Sequence, residues 1–136
     1  MNKKIIFAWL HRLIAVLFMG QSLFFKFSGA EESVYIFSTL GIEPWGRIGT
    51  GVAELIACLL ILITATTGVG ALLGMGIMAG ALLSHLFVLG IAVKGDNGQL
   101  FIYALLVFVS CAILVFIFKT QLLQLIKKQS KPQTSL

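Results

Sequence analysis

Apolar residues run along this chain in blocks too long for a soluble fold, and polar residues collect at the block ends. Between Glu54 and Lys94 lie 39 residues without Asp, Glu, Lys or Arg, His85 being the one group there that could take a charge. A transmembrane helix takes about 20 apolar residues, so this block predicts two spans and a tight turn. Thr64-Ala-Thr-Thr-Gly-Val-Gly70 is the natural break, because it gathers small, β-branched and glycine residues. Spans are therefore expected over about 47–66 and 69–93. A further 22 uncharged residues separate Asp96 from Lys119, which predicts a span over about 99–119.

The first span is less regular. Residues 5–26 are long enough, but His11 and Arg12 interrupt them and only 13 uncharged residues follow before Lys26. A secretory signal is the rival reading, with Met1-Asn-Lys-Lys as its charged start. Such a signal has a short apolar core and then a small-residue cleavage site, whereas here the apolar run continues through Phe24 and Phe25 into Lys26 and Phe27. The pattern favours a retained helix with Arg12 snorkelling to the membrane interface, and His11 is expected at the same interface. The connecting segment Phe27–Gly46 carries apolar residues at 34, 36, 37 and 40, close to helical spacing. Ser28 with Glu31 three residues on resembles a capping box, Gly41 stops the helix, and Pro44-Trp45-Gly46 turns the chain. Tyr35 and Trp45 suit headgroup depth. A short helix at the membrane surface, folded over the mouth of the bundle, is the expectation.

The fold class expected is thus an all-α membrane protein, a four-transmembrane-helix bundle over residues 1–119 with a short surface helix between spans 1 and 2. A basic tail, 120–136, extends span four by a turn or two and frays after Pro132. Composition agrees: of 136 residues, 59% are hydrophobic and 11% charged, against about 25% charged in soluble domains. The formal charge of +5 does not imply nucleic-acid binding, because the basic residues cap apolar runs and form no continuous face. With both termini cytoplasmic, the inner side carries Lys3, Lys4, Arg12, Lys119, Lys127, Lys128 and Lys131, and the outer side only Lys26, Arg47 and Lys94. This asymmetry sets the expected orientation, with the tail on anionic lipid. Gly70-x3-Gly74 and Gly76-x3-Gly80-x3-Ser84 allow close helix approach, either inside the bundle, which is favoured, or as the face of a homo-oligomer.

Depth organises the polar residues. Glu54 lies seven residues inside its span and His85 nine residues before Lys94, about 10 and 13 Å from the outer interface at 1.5 Å per residue. Gln21, Ser22, Lys26, Ser84 and Tyr103 fall in the same outer half. An ionised side chain in hydrocarbon costs roughly 2.5–3.5 kcal/mol on insertion scales, so Glu54 needs an interior partner. His85 is nearest in depth, which predicts a direct or water-bridged Glu54–His85 bond; Lys26 and Tyr103 lie nearer the interface, though the Lys26 stem could also reach down. Such a pair either holds helices together or lines a polar, outward-facing ligand site made of Glu54, His85, Lys26, Tyr103 and Gln21. Cys58 and Cys111 fall at one depth in parallel spans. A redox pair is conceivable there, but isolated membrane cysteines are more often small apolar filler. No nucleotide or hydrolase motif is present, and two histidines at opposite ends give no metal or haem site.

Arg12, Gly20 and Lys26, the run Phe24-Phe-Lys-Phe-Ser-Gly-Ala-Glu-Glu-Ser33, Glu43-Pro-Trp-Gly-Arg47, Gly51-Val-Ala-Glu-Leu55 and Gly80-Ala-Leu-Leu-Ser-His85 together resemble the DoxX-like small bacterial four-helix membrane proteins, over Arg12 to Lys119. The resemblance implies a multi-pass protein of the bacterial inner membrane. It also implies a loose link to membrane oxidoreductase systems, including the small subunit of a thiosulfate:quinone oxidoreductase. Related thiol-disulfide proteins carry paired cysteines, which this chain lacks. The leading expectation is a membrane subunit of a redox system whose pocket takes a quinone-like small molecule, alongside a membrane or redox protein partner. A non-catalytic scaffold or assembly factor and a small-solute transporter are the alternatives.

Overall fold

The computed structural model describes residues 2–130, and it is helical throughout, with no strand among them. The helices are α1 (Lys3–Phe27), α2 (Glu31–Thr39), α3 (Trp45–Leu62), α4 (Thr67–Ser84), α5 (Gln99–Ile117) and α6 (Lys119–Ser130). A 3₁₀ turn, Thr64–Thr66, precedes α4, and a π-helical turn, His85–Leu89, continues it. The segments Lys3–Phe27, Trp45–Leu62, Thr64–Leu89 and Gln99–Ile117 are each long and apolar enough to cross a membrane. α1 packs on α3 and α5, and so does α4, so α1 faces α4 across one diagonal and α3 faces α5 across the other.

The bundle centre is built from small and flexible residues, among them Ala8, Ala15 and Met19 of α1, Ala57 and Ile61 of α3, Ala71 and Met78 of α4, and Cys111 and Leu114 of α5. Lipid tails are as apolar as these side chains, so burying them gains little by hydrophobicity and the helices associate through close packing. Gly70 supplies the closest approach, since a Cβ there would stand 2.6 Å from the backbone nitrogen of Ile61. Gly74 sits against the Cys111 sulfur and the end of Met19. Gly76 and Gly80 behave otherwise, with nothing within 4 Å of a Cβ built on either. Large apolar side chains such as Leu17, Phe24, Phe87 and Phe116 point outward, as a lipid-facing surface requires.

Several boundaries differ from those expected. α3 stops at Leu62 rather than Thr66, because Ile63 turns extended and a 3₁₀ turn follows. The third span ends at Leu89, where Gly90 takes φ +82° and begins a loop that holds Lys94, Gly95, Asn97 and Gly98 at positive φ. Asp96 organises that loop, its carboxylate accepting from the backbone N–H groups of Val93, Gly98 and Leu100 at 2.9–3.2 Å. The tail does not extend α5. The chain breaks at Phe118 and forms a separate helix, α6, whose Gln121 accepts from Gly68 N–H and donates to the Thr64 carbonyl, both at 2.9 Å. The expected fraying after Pro132 lies outside the described residues.

Arg12 does not snorkel. It shares the buried stripe of Ala8, Ala15 and Met19, is 2% exposed, and lies over the Trp9 ring. Its guanidinium donates to the carbonyls of Ile61 (2.9 Å) and Leu62 (2.7 Å). The last carbonyls of a helix have no partner within it, and leaving one bare in hydrocarbon costs several kcal/mol. Thr66 and Thr67 hydroxyls serve the carbonyls of Leu60, Ile61 and Ile63. The threonine-rich break and Arg12 together therefore cap α3. His11 also turns inward, with Nδ1 3.3 Å from the Ser110 hydroxyl.

Candidate functional site

At the end of the bundle opposite Lys3 and Phe118 the four long helices surround a cavity of about 530 Å³, within the roughly 300–1,000 Å³ of small-molecule sites. α2 forms its roof, with Ser33, Ile36 and Phe37 on the cavity side. The roof is pinned at both ends. α2 ends in a Schellman motif, with Ile42 N–H on the Phe37 carbonyl, Gly41 N–H on Ser38, and Gly41 at φ +76°. The start of α2 is held differently from the expected capping box. Ser28 donates to the Phe25 carbonyl, and Ala30 occupies the N-cap without a side-chain bond. Gly29 at φ +67° instead lets Ala30 N–H close α1 on the Phe25 carbonyl. Glu31 then reaches Lys94 at 3.0 Å, and Lys94 lies over the Tyr35 ring, tying the roof to the loop after α4.

All five residues expected at the site, Gln21, Lys26, Glu54, His85 and Tyr103, line this one cavity. Their pairing differs from expectation. Glu54, 1% exposed, accepts from Lys26 Nζ at 2.5 Å and from the Ser22 hydroxyl at 3.2 Å. The direct Glu54–His85 bond is replaced, because an ammonium offers the carboxylate a full opposite charge and attraction between charges grows as the surroundings lose polarity. Gly51 makes this possible. A Cβ there would stand 3.0 Å from the Phe27 ring, so glycine lets the end of α1 close on α3 one turn from Glu54. Arg47 completes the joint, donating to the Lys26 carbonyl and to Glu43.

His85 is 5% exposed and opens the π-helical turn. Its Nδ1 lies 2.9 Å from the Gly90 carbonyl, a contact that needs the proton on Nδ1 because a carbonyl only accepts. Nε2 has no partner among the described residues. π turns concentrate at functional positions, and nothing in the residue pattern of span three announces this one. Tyr103 stacks on Phe18 and takes a 2.5 Å bond from Gln99. Cys58 and Cys111 are both free thiols, buried in the core beneath the cavity.

The cavity thus joins a buried ion pair, an unpaired imidazole nitrogen, a phenol and two amides to a largely apolar wall. Such a set can hold a compact polar headgroup by hydrogen bonds while an apolar remainder lies against the helices. No family model, curated protein or solved structure matches this chain.

Proposed function

We propose that this chain is a DoxX-like integral membrane protein, the membrane subunit of a redox system, and that its cavity binds the headgroup of a quinone-like small molecule. One observation carries the reading: the buried Lys26–Glu54 pair and His85, whose Nε2 has no partner among the described residues, line the same cavity of about 530 Å³. A purely structural ion pair needs no cavity beside it, and ionisable residues within membrane spans commonly mark ligand or proton pathways. The resemblance of the sequence to DoxX-like proteins supports the redox setting. The basic asymmetry supports cytoplasmic termini in a bacterial inner membrane, with the roofed end facing outward. In this reading Lys26, which keeps N–H donors beyond the one held by Glu54, donates to a carbonyl of the oxidised ring, and His85 Nε2 accepts from a hydroxyl of the reduced ring. Electrons come from a partner protein, and this chain positions the ring and handles protons.

The test is equilibrium binding of a decyl-tailed benzoquinone to the protein in nanodiscs. Glu54→Gln keeps a hydrogen-bonding group of the same shape, and it should weaken binding about tenfold, equivalent to about 1.4 kcal/mol, while costing less stability than Glu54→Leu because Gln still accepts from Lys26. Glu54→Leu strands the Lys26 ammonium and should also cost about 3–5 kcal/mol of stability. Absence of saturable binding to the unmodified protein, or a Gln variant that binds normally, would remove the basis for the reading.

A further inference from the structure

The cavity has two unlike flanks. Towards α1 and α5 it is bordered by Gln21, Gln99 and Tyr103, and along the middle of α4 by Ile77, Gly80 and Ala81, while Thr50 and Glu54 line it from α3. α3 and α4 share a short connection at the far end and touch backbone to backbone at Gly70. Ile77 lies two turns beyond Gly70 on the same face of α4, and by that level the face lines the cavity. Gly80 is exposed and a Cβ built on it meets nothing within 4 Å. Gly80 thus leaves the α4 wall of the cavity, beside α3, bare of a side chain at an exposed position. The axial route is closed by contrast. Ser33 and Phe37 are buried beneath α2, and the Glu31–Lys94 pair holds α2 to the loop.

We infer that the cavity is entered sideways from the lipid, through the α3–α4 gap at Gly80. Its occupant is a single-tailed amphiphile with an uncharged, hydrogen-bonding headgroup, whose tail lies in that gap. The inference rests on the reading of the cavity as a headgroup site. Charge argues for an uncharged headgroup. Lys26 is already held by Glu54, and Glu32 stands exposed at the rim, so an anionic group would meet a carboxylate and no free ammonium. Hydrogen-bonding partners come from α1, from Thr50 and Glu54 of α3, from α5 and from His85, whereas the stretch Ile77–Ala81 of α4 is apolar, so the long axis of the ligand runs from the polar groups to that stretch.

Two measurements in nanodiscs test this. In a Trp9→Phe/Trp45→Phe background, Gly80→Trp supplies one reporter at the gap. Its fluorescence should be quenched by lipids brominated along their acyl chains and spared by aqueous iodide. Quenching by iodide, or shielding from brominated lipid by a second copy of the chain, overturns the route. Binding of the decyl-tailed benzoquinone is then compared with that of its tail-less parent. Gly80→Trp, and Gly80→Leu as a smaller obstruction, should weaken the tailed probe about tenfold and leave the tail-less one unchanged. Gly80→Ala should leave both unchanged. If both probes weaken equally, or the tailed probe binds the Trp variant normally, the tail does not pass the gap. Failure of both probes to bind the unmodified protein instead overturns the headgroup reading, whatever the fluorescence shows.

Discussion

Arg12 and Asp96 show how single side chains hold the ends of these helices. Arg12 ends α3 from another helix, by giving two carbonyls charged donors in a medium without water. Arg12→Ala should cost at least about 3 kcal/mol, since hydrogen bonds to charged groups contribute about 1.5–3 kcal/mol each. Arg12→Lys should recover little of it, because a compact ammonium cannot present the planar fork that reaches adjacent carbonyls. Equilibrium unfolding in mixed micelles would measure both. Asp96 begins α5. Partial burial pushes its carboxyl upward, but the backbone N–H groups of Val93, Gly98 and Leu100, with a smaller contribution from His85, outweigh this and hold it below the usual carboxylate value. Its folded value is therefore lower than its unfolded one, about 3.9. The stability it contributes is complete above that unfolded value and is lost as pH falls through the folded value. Asp96→Asn should therefore lower Tm at neutral pH and flatten the fall of Tm below about pH 4.

At the scale of elements, α4 divides its glycines between two tasks. Gly70 and Gly74 admit neighbours, whereas Gly76 and Gly80 face open space. Gly70→Ala would drive a methyl into the α3 backbone and should destabilise by about 1–3 kcal/mol, as overpacking does. Gly80→Ala should be neutral or gain up to about 1 kcal/mol from helix propensity. Thermal unfolding of the two variants side by side checks this, and a similar cost for both would mean that Gly80 is packed. The sequence shows the spacing of these glycines but not the partition, because the helical face that meets α3 is set by the rotation of α4 within the bundle. The π turn has the same standing. It needs His85 to find Gly90 and the chain to leave the helix there, and a glycine after an apolar run shows only the second.

For the whole molecule, the helix count places the two ends of the described chain on one side of the bundle, and the roof on the other. Cysteine-accessibility labelling at position 97 from outside and at position 2 only after permeabilisation is the expected outcome, and labelling at 2 from outside would reverse the orientation. Amide exchange over 31–40 should be slow, as the buried Ser33 and Phe37 require. The four long apolar helices, the short helix between the first two, and the end of the bundle where Gln21, Lys26, Glu54, His85 and Tyr103 gather were all legible in the chain. Block length, charge position and depth at 1.5 Å per residue are one-dimensional quantities that a membrane converts directly into geometry. Depth brought Gln21, Lys26, Glu54, His85 and Tyr103 to one level, and one cavity contains them all. Depth did not decide that Glu54 takes Lys26 instead of His85, that Arg12 turns inward to cap α3, or that Gly80 meets open space beside the cavity. Each of these depends on how helices rotate and how closely they approach. That is fixed by packing among residues distant in the chain, so it exists only once the bundle has formed.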